Sequence, residues 1–197
     1  MKKIERIVLL VALMICATQV DAQKVLEGAR REAVLSEIAA KNRDITSIEG
    51  EFKQRRETAM LKDAVETSGT FTYKKGGVIE WIYVIPQKKR VEISGDEIRV
   101  DGKSSGGRNR MAKGIMAAAG ESLRSGMTVD ERVFSATVKE GEKKYYVAME
   151  PKRKDMQRMM KAIEVEYGKS DCRVKKITMT ESDGNKTTIE FERLVVK

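Results

Sequence analysis

The sequence lacks the residues that most often carry chemistry. Its 197 residues include no histidine, only two cysteines and only two prolines. Without histidine, the most common general base and the most common metal ligand are missing. No glycine-rich loop precedes a helix in a phosphate-binding pattern, no Cys-x-x-Cys occurs, and no pair of carboxylates stands out as acid and base. We therefore expect no enzymatic activity, no cofactor and no metal site.

A membrane-spanning length of apolar sequence is also missing. The longest apolar run covers residues 7–17, which falls short of the roughly 20 residues that cross a bilayer. Lys2, Lys3 and Arg6 precede this run, and small residues follow it. A basic start, a short apolar run and a small-residue end are typical of a secretory signal peptide. We therefore predict that residues 1–22 form a signal peptide that is cleaved after its last residue, and that the chain is periplasmic.

A disulfide is excluded as well. Cys16 lies in the predicted signal peptide, so Cys172 has no partner for an internal bridge. Cys172 follows Ser170-Asp171, a sequence that favours a turn. We interpret it as a partly buried thiol without a redox role.

The composition is that of a folded, basic domain. Cleavage would remove three of the 39 basic and two of the 30 acidic residues and leave a net charge of about +8. Basic and acidic residues alternate along the chain, as in Arg30-Arg31-Glu32, which is typical of solvated surfaces. Export makes nucleic acid an unsuitable partner, so we expect none. The positive charge instead predicts attraction to an anionic membrane surface or to an acidic protein patch.

The periodicity of apolar residues predicts three helices. The first covers residues 24–43, with apolar residues at spacings of three and four. The second is an inserted helix over residues 108–126, rich in alanine and methionine. The third is a short helix that begins at Pro151 and carries Met156, Met159 and Met160 on one side.

Alternation and turn residues predict strands over most of the remaining sequence. They begin near Ile45 and continue at residues 67–73, 78–85, 91–93, 98–100, 131–139, 144–149, 162–167, 173–181 and 186–196. The two glycine-containing turns at Gly76-Gly77 and Asp183-Gly184 predict hairpins. No strand–helix–strand alternation appears, which argues against a parallel sheet. We predict a single α+β domain over residues 23–197, with about nine to eleven antiparallel strands in a large curved sheet and helices on one face.

Residues 78–85 are apolar on both alternating sides except at Glu80. Such a strand is covered on both faces or lines a cavity on one. Trp81 and Tyr83 fall on the same side. Nine of the 11 methionines lie beyond the signal peptide, and methionine suits surfaces that adapt to apolar ligands, although it also serves as core filler.

Four motifs in order resemble the LolA family of periplasmic lipoprotein carriers. They are Ile45-Thr46-Ser47-Ile48-Glu49-Gly50-Glu51-Phe52-Lys53-Gln54, Ser68-Gly69-Thr70-Phe71-Thr72-Tyr73, Glu80-Trp81-Ile82-Tyr83-Val84-Ile85-Pro86, and a closing hairpin from Val174 to Phe191. The chain departs from the pattern at Glu80, where many relatives carry a basic residue, and at Ile98-Arg99-Val100, which lacks aromatic residues.

The resemblance implies an incomplete antiparallel β-barrel whose concave apolar face is covered by helices and holds lipoprotein acyl chains. It implies acylated lipoproteins, an inner-membrane release complex and an outer-membrane acceptor as partners, and we expect a monomer. The residues expected to line the cavity are Phe52, Phe71, Tyr73, Trp81, Tyr83, Ile93, Met111, Ile115 and Met116. Two alternatives remain: an envelope module that binds another apolar ligand or a protein partner without lipoprotein transit, and a hydrolase that uses carboxylates.

Overall fold

The computed structural model describes residues 23–58, 63–76, 78–94, 97–104 and 131–197. These residues form two helices and twelve strands. The helices are α1 (Gly28–Asn42) and α2 (Lys154–Gln157). The strands are β1 (Lys24–Leu26), β2 (Ser47–Glu57), β3 (Val65–Lys74), β4 (Ile79–Ile85), β5 (Lys89–Ser94), β6 (Glu97–Val100), β7 (Lys103–Ser104), β8 (Phe134–Glu140), β9 (Lys144–Pro151), β10 (Met160–Gly168), β11 (Val174–Glu181) and β12 (Lys186–Val196).

All twelve strands belong to one antiparallel sheet. Their order is β1-β8-β9-β10-β11-β12-β2-β3-β4-β5-β6-β7. From β2 to β7, and again from β8 to β12, each strand pairs with the next strand in the chain. The two runs are joined where β12 pairs with β2, and Phe191 lies opposite Phe52 at this junction. The edges β1 and β7 do not pair with each other, so the sheet is open. The predicted large antiparallel sheet is confirmed.

The two faces of the sheet differ in polarity. Because successive side chains of a strand point to opposite faces, the registers place Phe52, Phe71 and Trp81 on one face, which we call the apolar face. Val147, Val165 and similar residues of β8–β12 continue this face. The opposite face carries Glu, Lys and Arg side chains in cross-strand ion pairs, and we call it the charged face.

Helix α1 packs at the end of the sheet formed by β8–β11. Its buried residues Val34 and Ile38 belong to the same hydrophobic core as the apolar face. Buried Asn42 at its last turn donates a hydrogen bond to the carbonyl oxygen of Cys172 at 3.0 Å. Arg31 near its start donates to the carbonyl oxygen of Ala136 at 3.5 Å. The amphipathic helix predicted here therefore does cover apolar side chains of the sheet.

Three sequence-based predictions of element boundaries were wrong. Residues 24–26 form strand β1 against β8 instead of the first turn of the helix, which begins at Gly28 with a φ of 52°. Pro151 ends β9 instead of opening a helix, and α2 has only four residues. Met160 begins β10, because its pairing opposite Glu181 competes successfully with helix formation.

The described part of the chain is mostly β, rather than an even α+β mixture. The predicted strand count was too low because β1 and β7, with three and two residues, are too short to show alternation. The helix predicted over residues 108–126 and the signal peptide predicted over residues 1–22 lie outside the described residues. Within the described ranges, no helix combines the length and the apolar character needed to cross a membrane.

Candidate binding face

An aromatic cluster occupies the part of the apolar face formed by β12, β2, β3 and β4. The Trp81 ring stacks on Phe71 with centroids 5.5 Å apart and meets Phe52 edge to face at 4.9 Å. Phe191 contacts Phe71 at 5.1 Å, and Tyr83 contacts Phe52 at 5.1 Å. Edge-to-face and offset-stacked pairs at such distances are favourable arrangements of aromatic rings.

Glycines opposite the rings make this cluster sterically feasible. Phe52 lies opposite Gly69, and Phe71 lies opposite Gly50. A Cβ atom at Gly50 would lie 3.0 Å from Cε1 of Phe71 and 2.7 Å from Cδ2 of Leu194. Any larger residue at Gly50 would therefore displace the ring. The pattern Gly-x-Phe on β2 and on β3 positions the aromatic side chains.

Five of the predicted lining residues are aromatic members of this face. Phe52, Phe71, Tyr73 and Trp81 are buried, with Trp81 fully inaccessible to solvent. Tyr83 is half-buried on the same face. Burial raises the pKa of Tyr83 to about 12, so its hydroxyl is neutral at physiological pH.

The predicted residue Ile93 belongs to the same face at one end of the strands. It lies opposite Ile79 on β4, which in turn lies opposite Tyr73 on β3. Ile98 of β6 continues the row. The structure thus brings six of the nine predicted residues onto one face. The other three, Met111, Ile115 and Met116, lie outside the described residues, so their place in a cavity stays a prediction.

Phe191 was missed by sequence reasoning. It contacts both Phe71 and Trp81, with a Trp81 distance of 6.1 Å. Its signal was the alternation Ile189-x-Phe191 in the last hairpin. The pairing of β12 with β2, which brings Phe191 to the cluster, joins segments about 140 residues apart and leaves no local trace in the sequence.

Polar residues at the far end of β2 were also missed. After Phe52, the apolar face of β2 continues with Gln54 and Arg56. Gln54 Oε1 lies 3.4 Å from the Tyr83 hydroxyl, and Arg56 forms an ion pair of 2.9 Å with buried Glu181. The alternation of Phe52, Gln54 and Arg56 was the available signal. One face of β2 therefore changes from apolar to polar along its length.

Trp81 carries a buried donor without a partner. Its Nε1–H has no hydrogen-bond acceptor among the residues that the structure describes. Leaving such a group unpaired is unfavourable by about 1–3 kcal/mol. The site therefore has one donor that an acceptor of a bound molecule can satisfy.

The described residues pack tightly around Trp81. Two of the depressions that the described residues form lie elsewhere. One of about 370 Å³ is lined by Lys53, Arg55 and Ile85 among others, and one of about 160 Å³ lies over β8–β11. Neither is lined by Trp81. Because Trp81 is fully inaccessible to solvent, a molecule that reaches it must displace neighbouring side chains.

The methionines of the short helical segment do not form one surface. Met156 is half-buried against the core, Met160 is buried in β10, and Met159 is 45% exposed. Met156 and Met160 therefore contribute to the core, whereas Met159 is in contact with solvent, so the three do not share one side as predicted.

Cys172 lies in the turn between β10 and β11, as predicted, with a φ of 53°. It is a free thiol and more deeply buried than expected, at 1% exposure. Burial, together with nearby Glu37, raises the pKa of this thiol to about 11. The neutral thiol is a poor nucleophile.

A family model described as outer membrane lipoprotein carrier protein LolA matches residues 43–197. The chain belongs to the LolA family. The match includes every strand from β2 to β12 and therefore the whole aromatic cluster. A comparison with curated proteins finds no match.

Solved structures align with this chain at low sequence identity and with TM-scores below 0.5. The crystal structure of MucB is 15% identical with a TM-score of 0.48, over 85% of this chain and 59% of MucB. This chain therefore spans about three fifths of the MucB chain. A LolA superfamily protein from Nitrosomonas europaea is 10% identical with a TM-score of 0.46, over 84% of this chain and 93% of that one. A putative outer membrane lipoprotein-sorting protein domain from Vibrio parahaemolyticus is 10% identical with a TM-score of 0.37, over 84% and 91% of the two chains.

Proposed function

We propose that this chain is a periplasmic carrier that binds lipoprotein acyl chains on its apolar face and takes them from the inner toward the outer membrane without catalysis. The observation that carries the proposal is the LolA family match, which includes the aromatic cluster around Trp81. The cleaved signal peptide over residues 1–22, the single domain over residues 23–197 and the helix-covered, incomplete barrel belong to the same proposal. So do the partners that the family implies, an inner-membrane release complex and an outer-membrane acceptor.

The physical need for such a carrier follows from the hydrophobic effect. At about 0.8 kcal/mol for each buried methylene, withdrawing one sixteen-carbon chain from water is worth on the order of 10 kcal/mol. Free passage of an acylated protein through water is therefore negligible. The carrier face must match the membrane loosely enough to release its cargo.

The tight packing of the aromatic cluster gives the carrier a means of release. An acyl chain that enters must separate Trp81 from Phe52 and Phe71, so part of the binding free energy is spent on opening the cluster. When the chain leaves, the rings regain their contacts. An ester or amide carbonyl of the cargo would also accept a hydrogen bond from Trp81 Nε1, which has no acceptor among the described residues.

The single tryptophan allows a direct test. We expect acyl chains that carry bromine to quench the fluorescence of Trp81, because bromine quenches only at close contact. Binding should also change the emission wavelength, since the ring loses its aromatic neighbours. The measurement is a fluorescence titration of the purified protein with brominated and unbrominated acyl lipids.

A matched control places the reporter on the opposite face. Ile82 is 40% exposed on the charged face, next to Trp81 in β4. In a Trp81→Phe, Ile82→Trp double variant, the brominated lipid should leave the emission unchanged. Equal quenching of both reporters, or no quenching of Trp81, would rule out acyl binding at this cluster.

The alternative is an envelope module that binds another apolar ligand or a protein partner. The observation in its favour is a group of exposed apolar residues at the end of β4, Ile82, Val84 and Ile85, with exposures of 40%, 50% and 59%. Native mass spectrometry of the protein isolated gently from cells separates the two. A co-purifying lipoprotein supports the carrier, whereas a free lipid or a non-acylated protein supports the alternative.

A further inference from the structure

Four basic residues meet at one end of the sheet, where β2 begins and the β3–β4 turn lies. Lys74 pairs with Ser47, and the amide of Lys75 donates to the carbonyl oxygen of Thr46 at 2.7 Å. The amide of Thr46 donates in turn to a main-chain oxygen of Lys197 at 2.7 Å. Arg43 lies three residues before Thr46. We call Arg43, Lys74, Lys75 and Lys197 the basic end.

The charges of the basic end are not neutralised by ion pairs. All four side chains are exposed, and none of them forms a salt bridge with another described residue. Several cations of the charged face are paired instead. Lys53 pairs with Glu192 at 2.8 Å, for example, and Arg90 pairs with Glu80 at 2.5 Å. Two exposed side-chain carboxylates lie close by, Asp44 beside Arg43 and Glu49 opposite Val195, so the four cations outnumber them and the basic end keeps a net positive charge.

Apolar residues next to the basic end favour a lipid surface over an acidic protein. Val78, just past the β3–β4 turn, is 39% exposed, and Val195 is 54% exposed. Exposed apolar side chains beside lysines suit the boundary between headgroups and acyl chains, where the long lysine stems can follow the apolar surface. One register step inward from Lys74 lies Tyr73, opposite Ile48, at the end of the apolar face.

We propose that the basic end docks the protein on a membrane surface rich in anionic lipid. Docking in this orientation brings the Tyr73 end of the apolar face next to the bilayer. The proposal does not depend on the identity of the cargo, because it concerns the surface of the unloaded protein. Membrane docking can therefore be disproved while the carrier function is supported, and the carrier function can be disproved while membrane docking is supported.

The test measures binding of the purified protein to phosphatidylcholine vesicles with and without phosphatidylglycerol. We expect binding only to the anionic vesicles and a steep loss of binding as salt is raised, since salt screens exposed charges. Replacing Arg43, Lys74, Lys75 and Lys197 together by Gln should weaken binding by tenfold or more, because each cation near such a surface contributes about fivefold.

A control variant removes the same charge elsewhere. Lys88, Lys89, Lys161 and Lys186 are exposed and lie at the opposite ends of their strands. Replacing these four by Gln should leave most of the binding intact. All three proteins share the same N-terminal segment, so that segment cannot produce a difference between them. Emission of buried Trp81 verifies that each variant is folded.

Two outcomes would overturn the proposal. One is equal loss of vesicle binding in both quadruple variants, which would indicate a response to net charge alone. The other is absence of binding to anionic vesicles together with salt-sensitive binding to polyglutamate, which would assign the basic end to an acidic protein partner. Loss confined to the basic-end variant would support membrane docking.

Discussion

At the scale of single residues, Glu166 shows how charge is held on the charged face. Its carboxylate lies 2.7 Å from Lys144 Nζ on β9 and 2.9 Å from Lys176 Nζ on β11. Burial by itself would raise the pKa of this carboxyl. The two ammonium groups outweigh burial and lower the pKa of Glu166 below its ordinary value.

We expect Glu166→Gln to lower the free energy of unfolding by about 1 kcal/mol at neutral pH. Because the pKa is lower in the folded than in the unfolded state, this stabilisation is present above the unfolded pKa and is lost as pH falls through the folded pKa. Urea denaturation at neutral pH and in strong acid measures it. Glu164→Gln, an exposed neighbour on the same strand, should have little effect at either pH. A Glu166→Gln effect that persists unchanged in acid would contradict the prediction.

Sequence reasoning identified the face of a residue better than its partner. The alternation of side chains along β4 correctly predicted that Trp81 and Tyr83 lie on the same face, because alternation is a local property of a strand. In the sequence, Glu80 is a departure from the family pattern, at a position where many relatives carry a basic residue. It lies on the charged face and pairs with Arg90 of β5, so it takes no part in the aromatic cluster. The pairing of Glu80 with Arg90 depends on the register between β4 and β5, and the alternation of residues within one strand does not reveal that register.

At the scale of elements, the β3–β4 hairpin depends on Gly69. A Cβ atom there would lie 1.9 Å from the carbonyl oxygen of Ile82, a backbone atom that cannot move aside easily. The register of the hairpin also shifts between Ser68 and Gly69. Only glycine fits this close approach of two strands.

We expect Gly69→Ala to lower the free energy of unfolding by roughly 2–3 kcal/mol, because the methyl group forces the two strands apart. The measurement is urea denaturation monitored by Trp81 emission. Thr70→Ala, at the exposed neighbouring position, is the control and should change stability little. Equal denaturation midpoints for the Gly69→Ala variant and the unaltered protein would show that the strands can adjust.

Hairpins were the elements most readily predicted from the sequence. The β3–β4 and β11–β12 hairpins combine alternation with a glycine-containing turn, and both formed as expected. Boundaries set by tertiary pairing were not predictable in this way. Residues 24–26 have helical spacing, yet their pairing with Val138 and its neighbours makes them a strand.

At the scale of the whole molecule, β12 is the strand that unites the sheet. It pairs with β11 on one side and with β2 on the other, and so joins the two runs of strands. Buried Ile189 lies near its middle, opposite Ile177 and Gln54. Loss of packing at this strand should therefore affect both runs together.

We expect Ile189→Ala to destabilise the protein by about 2–4 kcal/mol through the cavity that it leaves. Trp81 emission reports on the β2–β7 run, and far-UV circular dichroism reports on all strands. Both signals should shift to the same lower midpoint in urea. Glu190→Ala, the exposed neighbour, serves as the control. Separate midpoints for the two signals would show that the runs unfold independently.

The overall topology was only partly accessible from the sequence. The succession of hairpins predicted antiparallel pairing within each run, because neighbouring strands in the chain usually pair. The joining of β12 to β2 and of β1 to β8 could not be derived from local pattern, since the paired residues are more than one hundred positions apart. The contribution of Phe191 to the aromatic cluster was missed for the same reason.

The brevity of the two outer strands bears on how the protein behaves in a crowded compartment. Unpaired backbone groups at the border of a sheet invite strands of other molecules to add on, and short borders with lysine discourage this. Here β1 and β7 present three and two residues, with Lys24 and Lys103 among them. Among the described residues, each outer strand thus offers only a few unpaired backbone groups to which a strand of another molecule could add.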